Sequence, residues 1–477
     1  MLFPNPVPSP AGWQLFRWLF DPLTFLDQCT DRWGSTFSLG LVTGLRMTLV
    51  ADPEAIADVF SLDPNHVESG SMNYLLEPLV GLNSLLLLDG NPHRRHRKLL
   101  LPPFHGERMT VYGRLICDLT RQQAADWGSQ KVIAGRKVTQ VITLKTILKA
   151  VFGLVDGDRY GQIQVLAAKI LDLLGSPLTS SLLFLPSLQR DWGPWSPWGY
   201  FLRLRNQLDV LLYGEIADRR AEQVQAQQDA AQPNPATNRG PSDRTDILSL
   251  LLAARDEAGQ PMSDEEIRDE LMTLLLAGHE TTATSLAWAL WWVTQFPAMG
   301  ERIRAEIAEL GPDPEPMAIA KLPYLNAFCQ ETLRIYPVAL IGSPRRLLKP
   351  TTIGRYDYPA GAIVSPNIYS AHRRPDLYPN PTQFQPERFL ERSFTNSEFL
   401  TFGGGNRSCI GMAFAQFEMK LVLATLLMDW SVAYAGVLPP RPARRGVTVG
   451  PNGPLRLRMT RRDRVAPAPA STPQTVA

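Results

Sequence analysis

The run Phe402-Gly403-Gly404-Gly405-Asn406-Arg407-Ser408-Cys409-Ile410-Gly411 sets one cysteine behind a three-glycine turn, and from Met412 to Trp430 apolar residues recur at helical spacing. The sulfur therefore sits just before a helix N-terminus. There the helix dipole and unpaired backbone N–H groups favour a thiolate, and the glycines let the backbone approach a flat cofactor. Such a sulfur suits an axial haem ligand, because a thiolate pushes electron density onto iron and favours O–O cleavage. Taken alone, a cysteine in a glycine-rich loop is more often inert and buried. The other cysteines, Cys29, Cys117 and Cys329, are too distant for a zinc or iron–sulfur pattern.

A second stretch with chemical potential is Ala277-Gly278-His279-Glu280-Thr281-Thr282. It is poor helix sequence in the middle of a helix that Ser263-Asp264-Glu265-Glu266 starts as a capping box and that can run to Phe296, before Pro297. Ala277 and Gly278 leave room beside the backbone, and the Thr281 hydroxyl can reach the Ala277 carbonyl, bending the ladder and opening a groove. On the plainer reading Thr281 and Thr282 only back-bond, Glu280 is a solvated charge and His279 is a packing or surface residue. Further on, Glu331 and Arg334 stand at i and i+3. In Gly90-Asn91-Pro92-His93-Arg94-Arg95-His96-Arg97-Lys98, His93 and Arg97 stand at i and i+4, suited to gripping an anion or simply to forming a solvated basic helix.

The spacing Phe-x-x-Gly-x-Arg-x-Cys-x-Gly resembles the haem-thiolate signature of the cytochrome P450 superfamily, including its cyanobacterial members. Three further matches follow family order: Ala-Gly-x-Glu-Thr-Thr at 277–282, Glu-x-x-Arg at 331–334 and Pro-Glu-Arg-Phe at 386–389. The resemblance covers the chain from a hairpin near residue 40 to about residue 459. It implies a mainly α fold with a small β-rich lobe and a haem b (iron protoporphyrin IX) cofactor ligated by Cys409. Phe402, Gly403 and Ala277 would border the haem. His93 (where many relatives carry Trp), Arg97, Arg345 and Arg407 would hold its propionates, with adjacent Arg346 leaving the choice of Arg345 open. Thr281 would serve oxygen activation and Glu280 would relay protons. Arg388 would join Glu331 and Arg334 in a buried structural cluster. The implied activity is insertion of one atom of dioxygen into an apolar substrate, with electrons from ferredoxin and ferredoxin reductase. The rivals are a peroxide-driven or isomerising enzyme, against which the Glu280–Thr281 pair speaks, and a non-catalytic haem sensor, for which no second domain is visible.

Around these positions the chain must build a large scaffold. With 477 residues, 44% of them hydrophobic and 20% charged, it exceeds what mini-protein, collagenous or wholly disordered classes allow. Its 48 Lys+Arg against 46 Asp+Glu leave +2, which gives no composition-level case for nucleic acid. Residues 36–51 read as a hairpin, and helical patterns dominate from Pro53 to Pro337. The expected organisation is one catalytic domain over 1–463, interrupted by a disordered surface loop at 221–245 and followed by a disordered tail at 464–477. The stretch after Cys409 is too short for a reductase domain. The N-terminus lacks a signal-peptide pattern and no run of about 20 apolar residues occurs, so a cytoplasmic protein with no transmembrane segment is expected. Trp13 to Phe20 reads as a packed N-terminal helix, with contact at a membrane surface as the alternative. Family position offers Leu75, Leu76, Leu79, Val80, Thr273, Leu276, Ala277, Val338, Ala339, Leu340 and Ile341 as pocket walls, about half of them ordinary core. They favour a long-chain fatty acid, alkane or terpenoid, with Arg46 a candidate carboxylate anchor. Arg94, Arg95, Lys98 and Arg407 are expected to form a basic patch for an acidic ferredoxin.

Overall fold

The capping box forms: Glu266 N–H donates to Ser263 Oγ at 3.1 Å, and Ser263 N–H donates to the Glu266 carboxylate at 2.7 Å. It launches the central helix Asp264–Gln295, whose residues are buried on nearly every side, as a helix through the middle of a large protein must be. The helix ends at Phe296, and Pro297 begins the next helix, Pro297–Ala308. The flanking helix Gly135–Phe152 and the post-cysteine helix Met412–Asp429 pack against it. These three helices carry much of the main core, including Ile142, Trp288, Leu290 and Leu423.

The computed structural model describes residues 4–42, 45–104, 106, 108–153, 157–175, 179, 181–184, 188–231 and 246–462. About 58% of the chain is helical, and the sheets are small, so the mainly α fold with a β-rich lobe is observed. The hairpin pairs Thr36–Val42 with Leu45–Val50 in antiparallel register, Phe37 opposite Leu49. It is the edge of a five-stranded sheet that continues through Ile363–Pro366, Arg345–Leu347 and Val67–Glu68. Two smaller cores, one around Ile56 and Val364 and one around Phe37 and Leu39, fill the lobe's two faces.

Two expectations change. The helix Pro197–Ala231 continues into the stretch read as a disordered loop from residue 221, because Ala, Glu and Gln between 221 and 231 are strong helix formers. The rest of that stretch, 232–245, and the tail at 464–477 lie outside the described residues. The N-terminal helix Ala11–Phe20 docks on the hairpin through buried Gln14, which donates to Val7 O at 3.0 Å and accepts the Gly40 N–H at 2.8 Å. It does not pack all its aromatic residues, however: Trp13, Phe16 and Phe20 are 52%, 48% and 62% exposed and lie ring against ring on one face.

Candidate active site

The loop that presents Cys409 is pinned from three directions. Cys409 N–H donates to Phe402 O at 2.9 Å, closing the turn. A Cβ on Gly404 would lie 2.3 Å from the Phe60 ring, and one on Gly405, at φ +64°, would lie 2.2 Å from Phe60 O. The triple glycine is therefore the condition for seating the loop on the helix Pro53–Ser61. Upstream, the Glu331 carboxylate accepts from Arg334 at 2.7 and 2.8 Å and from Arg388 Nε at 3.2 Å, with Glu331 and Arg334 fully buried. Arg334 also donates to His372 O at 2.7 Å, and His372 Nε2 accepts the Leu400 N–H at 3.0 Å, so the buried cluster reaches the start of the cysteine loop through one imidazole. From the third side Arg97 donates to Ser408 O and Ser408 Oγ, both at 2.7 Å.

Cys409 is the exposed one of the four cysteines; the other three are buried. Protein nevertheless surrounds it. Burial holds its thiol above the usual value and outweighs the Gly411 N–H and the Arg97 charge that pull it down. The helix terminus alone therefore does not secure a thiolate, whereas coordination to a metal ion would favour one.

The central helix carries a matching gap. Ala277 is exposed and Leu276, Gly278 and Thr281 are half-buried, in a helix whose preceding turns are buried. Thr281 Oγ1 donates to Ala277 O at 2.6 Å, the back-bond that the spacing predicts. Gly278 serves a different purpose from the one expected: its missing Cβ would meet Ile147 Cδ1 at 2.9 Å, so it admits the flanking helix rather than opening a groove. Glu280 is not a solvated charge. It pairs with Arg136, accepts from Gln140 Nε2 at 3.0 Å and lies 3.4 Å from Thr284 Oγ1. His279 is a packing residue, its Nδ1 2.8 Å from Thr143 Oγ1, and burial depresses its pKa to about 4.

Cations gather beyond Cys409. Strand alternation buries Arg345 and turns Arg346 outward to Glu68. Arg345 donates to Ser343 O at 2.7 Å, and burial together with neighbouring Arg407 lowers its pKa to about 10. Burial, helped by Arg407 and Arg97, pushes His93 down to about 3. Arg407 donates to Leu85 O at 3.2 Å and bonds Leu88 O and the Asp89 carboxylate. Its Nε and the nearby Ser343 Oγ are buried with no hydrogen-bond partner. Three arginines, of which Arg407 has a carboxylate partner in Asp89, and one neutral imidazole converge here, an excess of positive charge that suits an anion. Haem b fits: Cys409 can hold its iron, Ala277 can lie over its ring, and His93, Arg97, Arg345 and Arg407 can face its propionates.

The outer basic patch is reduced: Arg95 is neutralised by Asp256 and Glu266, Lys98 pairs with Glu257 at the surface and the Arg407 side chain is buried, while Arg94 is exposed. The proposed pocket walls also divide. Leu79 and Val80 belong to the main core and Leu340 to the hairpin core, Val338 is buried, and Thr273 is hydrogen-bonded to Ser84 at 2.6 Å. Ala339 is exposed, while Leu75, Leu76 and Ile341 are half-buried. Sequence reading missed His96, Asp269 and Glu270, which tie the segment 81–89 to the central helix; the only signal was charge at positions of a helix that packing should have kept apolar.

Comparison with known proteins agrees with this geometry. The sequence profile described as Cytochrome P450 matches residues 4–457. The chain is 35% identical over 439 residues to a Mycobacterium tuberculosis protein provisionally named cytochrome P450 135B1, covering 92% of this chain and 87% of that one. It is 32% identical over 460 residues to another from that organism, provisionally named cytochrome P450 138, covering 96% of each. Retinoic acid bound cyanobacterial CYP120A1 shares the fold, with a TM-score of 0.78 over 96% of this chain and 99% of that one at 24% identity. A chain that matches the family over nearly its whole length, and presents its cysteine on a glycine loop, belongs to the cytochrome P450 family of haem b monooxygenases.

Proposed function

We propose that this monooxygenase oxidises a long-chain fatty acid, alkane or terpenoid within one catalytic domain and takes its electrons from a ferredoxin and ferredoxin reductase. The observation that carries the site assignment is the glycine loop that presents exposed Cys409 beside Arg97, Arg407 and buried Arg345. Haem, when bound, supplies the activation of dioxygen. Cys409 holds the iron, with Phe402 and Gly403 shaping its loop. His93, Arg97, Arg345 and Arg407 orient the haem through its carboxylates. Thr281 gives and retakes a proton at Oγ1, and Glu280 supplies acid behind it once its carboxylate turns from Arg136.

The apolar character of Leu76, Leu276, Ala277, Ala339 and Ile341 supports the substrate class, as does the retinoic acid named for the structural relative, an isoprenoid acid. Arg46, exposed on the hairpin, is the candidate partner for a carboxylate. No described helix is long and apolar enough to cross a membrane. The aromatic face of Ala11–Phe20 supports peripheral contact of an otherwise cytoplasmic protein with a bilayer, where Trp and Phe rings favour the interface.

The test of the site is Cys409→Ser, which should abolish the red-shifted Soret band of the ferrous carbon monoxide complex, while Cys29→Ala, Cys117→Ala and Cys329→Ala each keep it. A normal carbonyl spectrum in Cys409→Ser overturns the assignment.

A further inference from the structure

The segment Gly81–Asp89 bridges the central helix and the cysteine loop. On the side of the central helix, Asn83 N–H and Nδ2 donate to Asp269 Oδ2 at 2.9 and 3.1 Å, and Leu85 N–H donates to Glu270 Oε1 at 2.9 Å. On the side of the cysteine loop, Leu85 O accepts from Arg407 at 3.2 Å. The two ends of one residue, Leu85, thus connect the oxygen-side helix with a propionate-side arginine. Gly81 is pressed on Asp269 so closely that a Cβ would lie 2.0 Å from Oδ1.

The Glu270 carboxylate that grips Leu85 is fully buried, and its Oε2 has no hydrogen-bond partner. Its other contact is His96 of the helix Gly90–Leu100, with Nδ1 2.7 Å from Glu270 Oε1, while His96 Nε2 stands 3.2 Å from Glu266 Oε1. Both ring nitrogens therefore face carboxylate oxygens. A neutral imidazole has one N–H, so it can satisfy one carboxylate only and turns a lone pair on the other; the imidazolium satisfies both. Glu266 has further donors in Arg95 and Ser263 N–H, whereas Glu270 has His96 as its counter-cation. The other charges packed around the pair are already matched: Asp269 by Arg268, Arg268 also by Asp209, and Arg95 also by Asp256.

We propose that the His96–Glu270 pair is a proton-operated clasp that holds Gly81–Asp89 against the central helix and thereby governs access to the pocket. When the proton leaves, the buried Glu270 carboxylate loses its counter-charge, and hydrating it requires the Leu85 peptide to lift away. Burial opposes charge on His96, but the hydrogen bonds and charges of Glu270 and Glu266 together raise its pKa. Burial also raises the Glu270 carboxyl, to about 7, so near neutral pH the pair keeps one proton between its two groups; the clasp is complete there and is released as pH rises above both raised values. His96 is a positioning residue, acting on the segment through Glu270.

The proposal rests on the haem assignment for one of its two readouts. In the ferrous holoenzyme, the association rate of n-butyl isocyanide, an uncharged haem ligand, should rise roughly fivefold from pH 6.5 to 9.5, the scale of losing one hydrogen-bonded contact. In His96→Gln it should be fast and flat with pH. Independently of haem, the protection of the Asn83 and Leu85 amides against hydrogen exchange, corrected for intrinsic rates, should fall over the same pH range in the unaltered protein. A flat wild-type profile in both readouts, or His96→Gln keeping the wild-type pH dependence, overturns the clasp. Absence of any isocyanide complex would instead overturn the haem assignment and leave the amide readout to decide the clasp.

Discussion

Thr281 shows what a single side chain can do on the central helix, since its hydroxyl is engaged with Ala277 O and yet the residue is half-exposed. Thr281→Ala should leave haem and substrate binding intact and divert reducing equivalents to peroxide or water, because only the proton-donating group is lost. Product formed per NADPH consumed in a ferredoxin-supported assay measures this. Unchanged coupling would make Thr281 a helix-bending residue only. The cysteine loop allows a sharper contrast. Gly404→Ala strikes the Phe60 ring, so a second substitution, Phe60→Leu, should restore part of the haem retention that Gly404→Ala loses. Gly405→Ala strikes Phe60 O at positive φ, and no side-chain change at Phe60 should rescue it. Haem content after gel filtration distinguishes the two. The Thr281 back-bond was legible in the sequence because it is a four-residue relation. The true neighbours of Gly278 and Glu280 were not, because Ile147, Gln140 and Arg136 come from another helix and only packing brings them near.

Elements differ in how openly they announce themselves. The central helix was readable because its capping box and the proline after it are local signals, and both are where the spacing puts them. The extension of Pro197–Ala231 past residue 221 was missed because polarity was taken for disorder, although helix propensity needs no apolar face. The basic helix was misjudged in the opposite direction. Its cations are consecutive in sequence, but the acidic residues that neutralise them stand about 160 residues later, at Asp256, Glu257 and Glu266. Burial also ranks the ion pairs. Glu331→Gln removes the countercharge of fully buried Arg334 and should cost about 3 to 5 kcal/mol, seen as lower haem content and a lower denaturation midpoint. Arg302→Ala, in the exposed pair with Glu387, should change stability by about 1 kcal/mol or less. Equal effects of the two would contradict the structural role assigned to the buried cluster.

At the scale of the whole molecule, the fold followed from four short motifs, whereas the pocket did not. Half of the candidate wall residues turned out to be core, since an aliphatic side chain carries no mark of whether protein or ligand will cover it. The substrate class is best tested as a series. Spin-state titration with fatty acids of increasing length and with matching alkanes or alcohols should show affinity rising about fourfold per methylene while the chain still fits, from about 0.8 kcal/mol per buried CH₂. Affinity that ignored chain length would defeat the apolar pocket, and equal binding of acid and alkane would remove only the Arg46 anchor. The aromatic face of the N-terminal helix makes a separate prediction. Cosedimentation with phospholipid vesicles should fall when Trp13, Phe16 and Phe20 are replaced together by Ser, with the carbonyl spectrum unchanged.

The seating of the cysteine loop also has a bearing on biosynthesis. Phe60 meets Gly404, Arg97 meets Ser408, and Leu85 and Asp89 meet Arg407, so several contacts that seat the loop join the early chain to its late part. Such contacts form slowly, because closing loops of that length precedes any gain from them. A ribosome must therefore release the chain through Cys409 before the iron ligand and its early-chain supports can meet, so capture of the cofactor cannot precede that point.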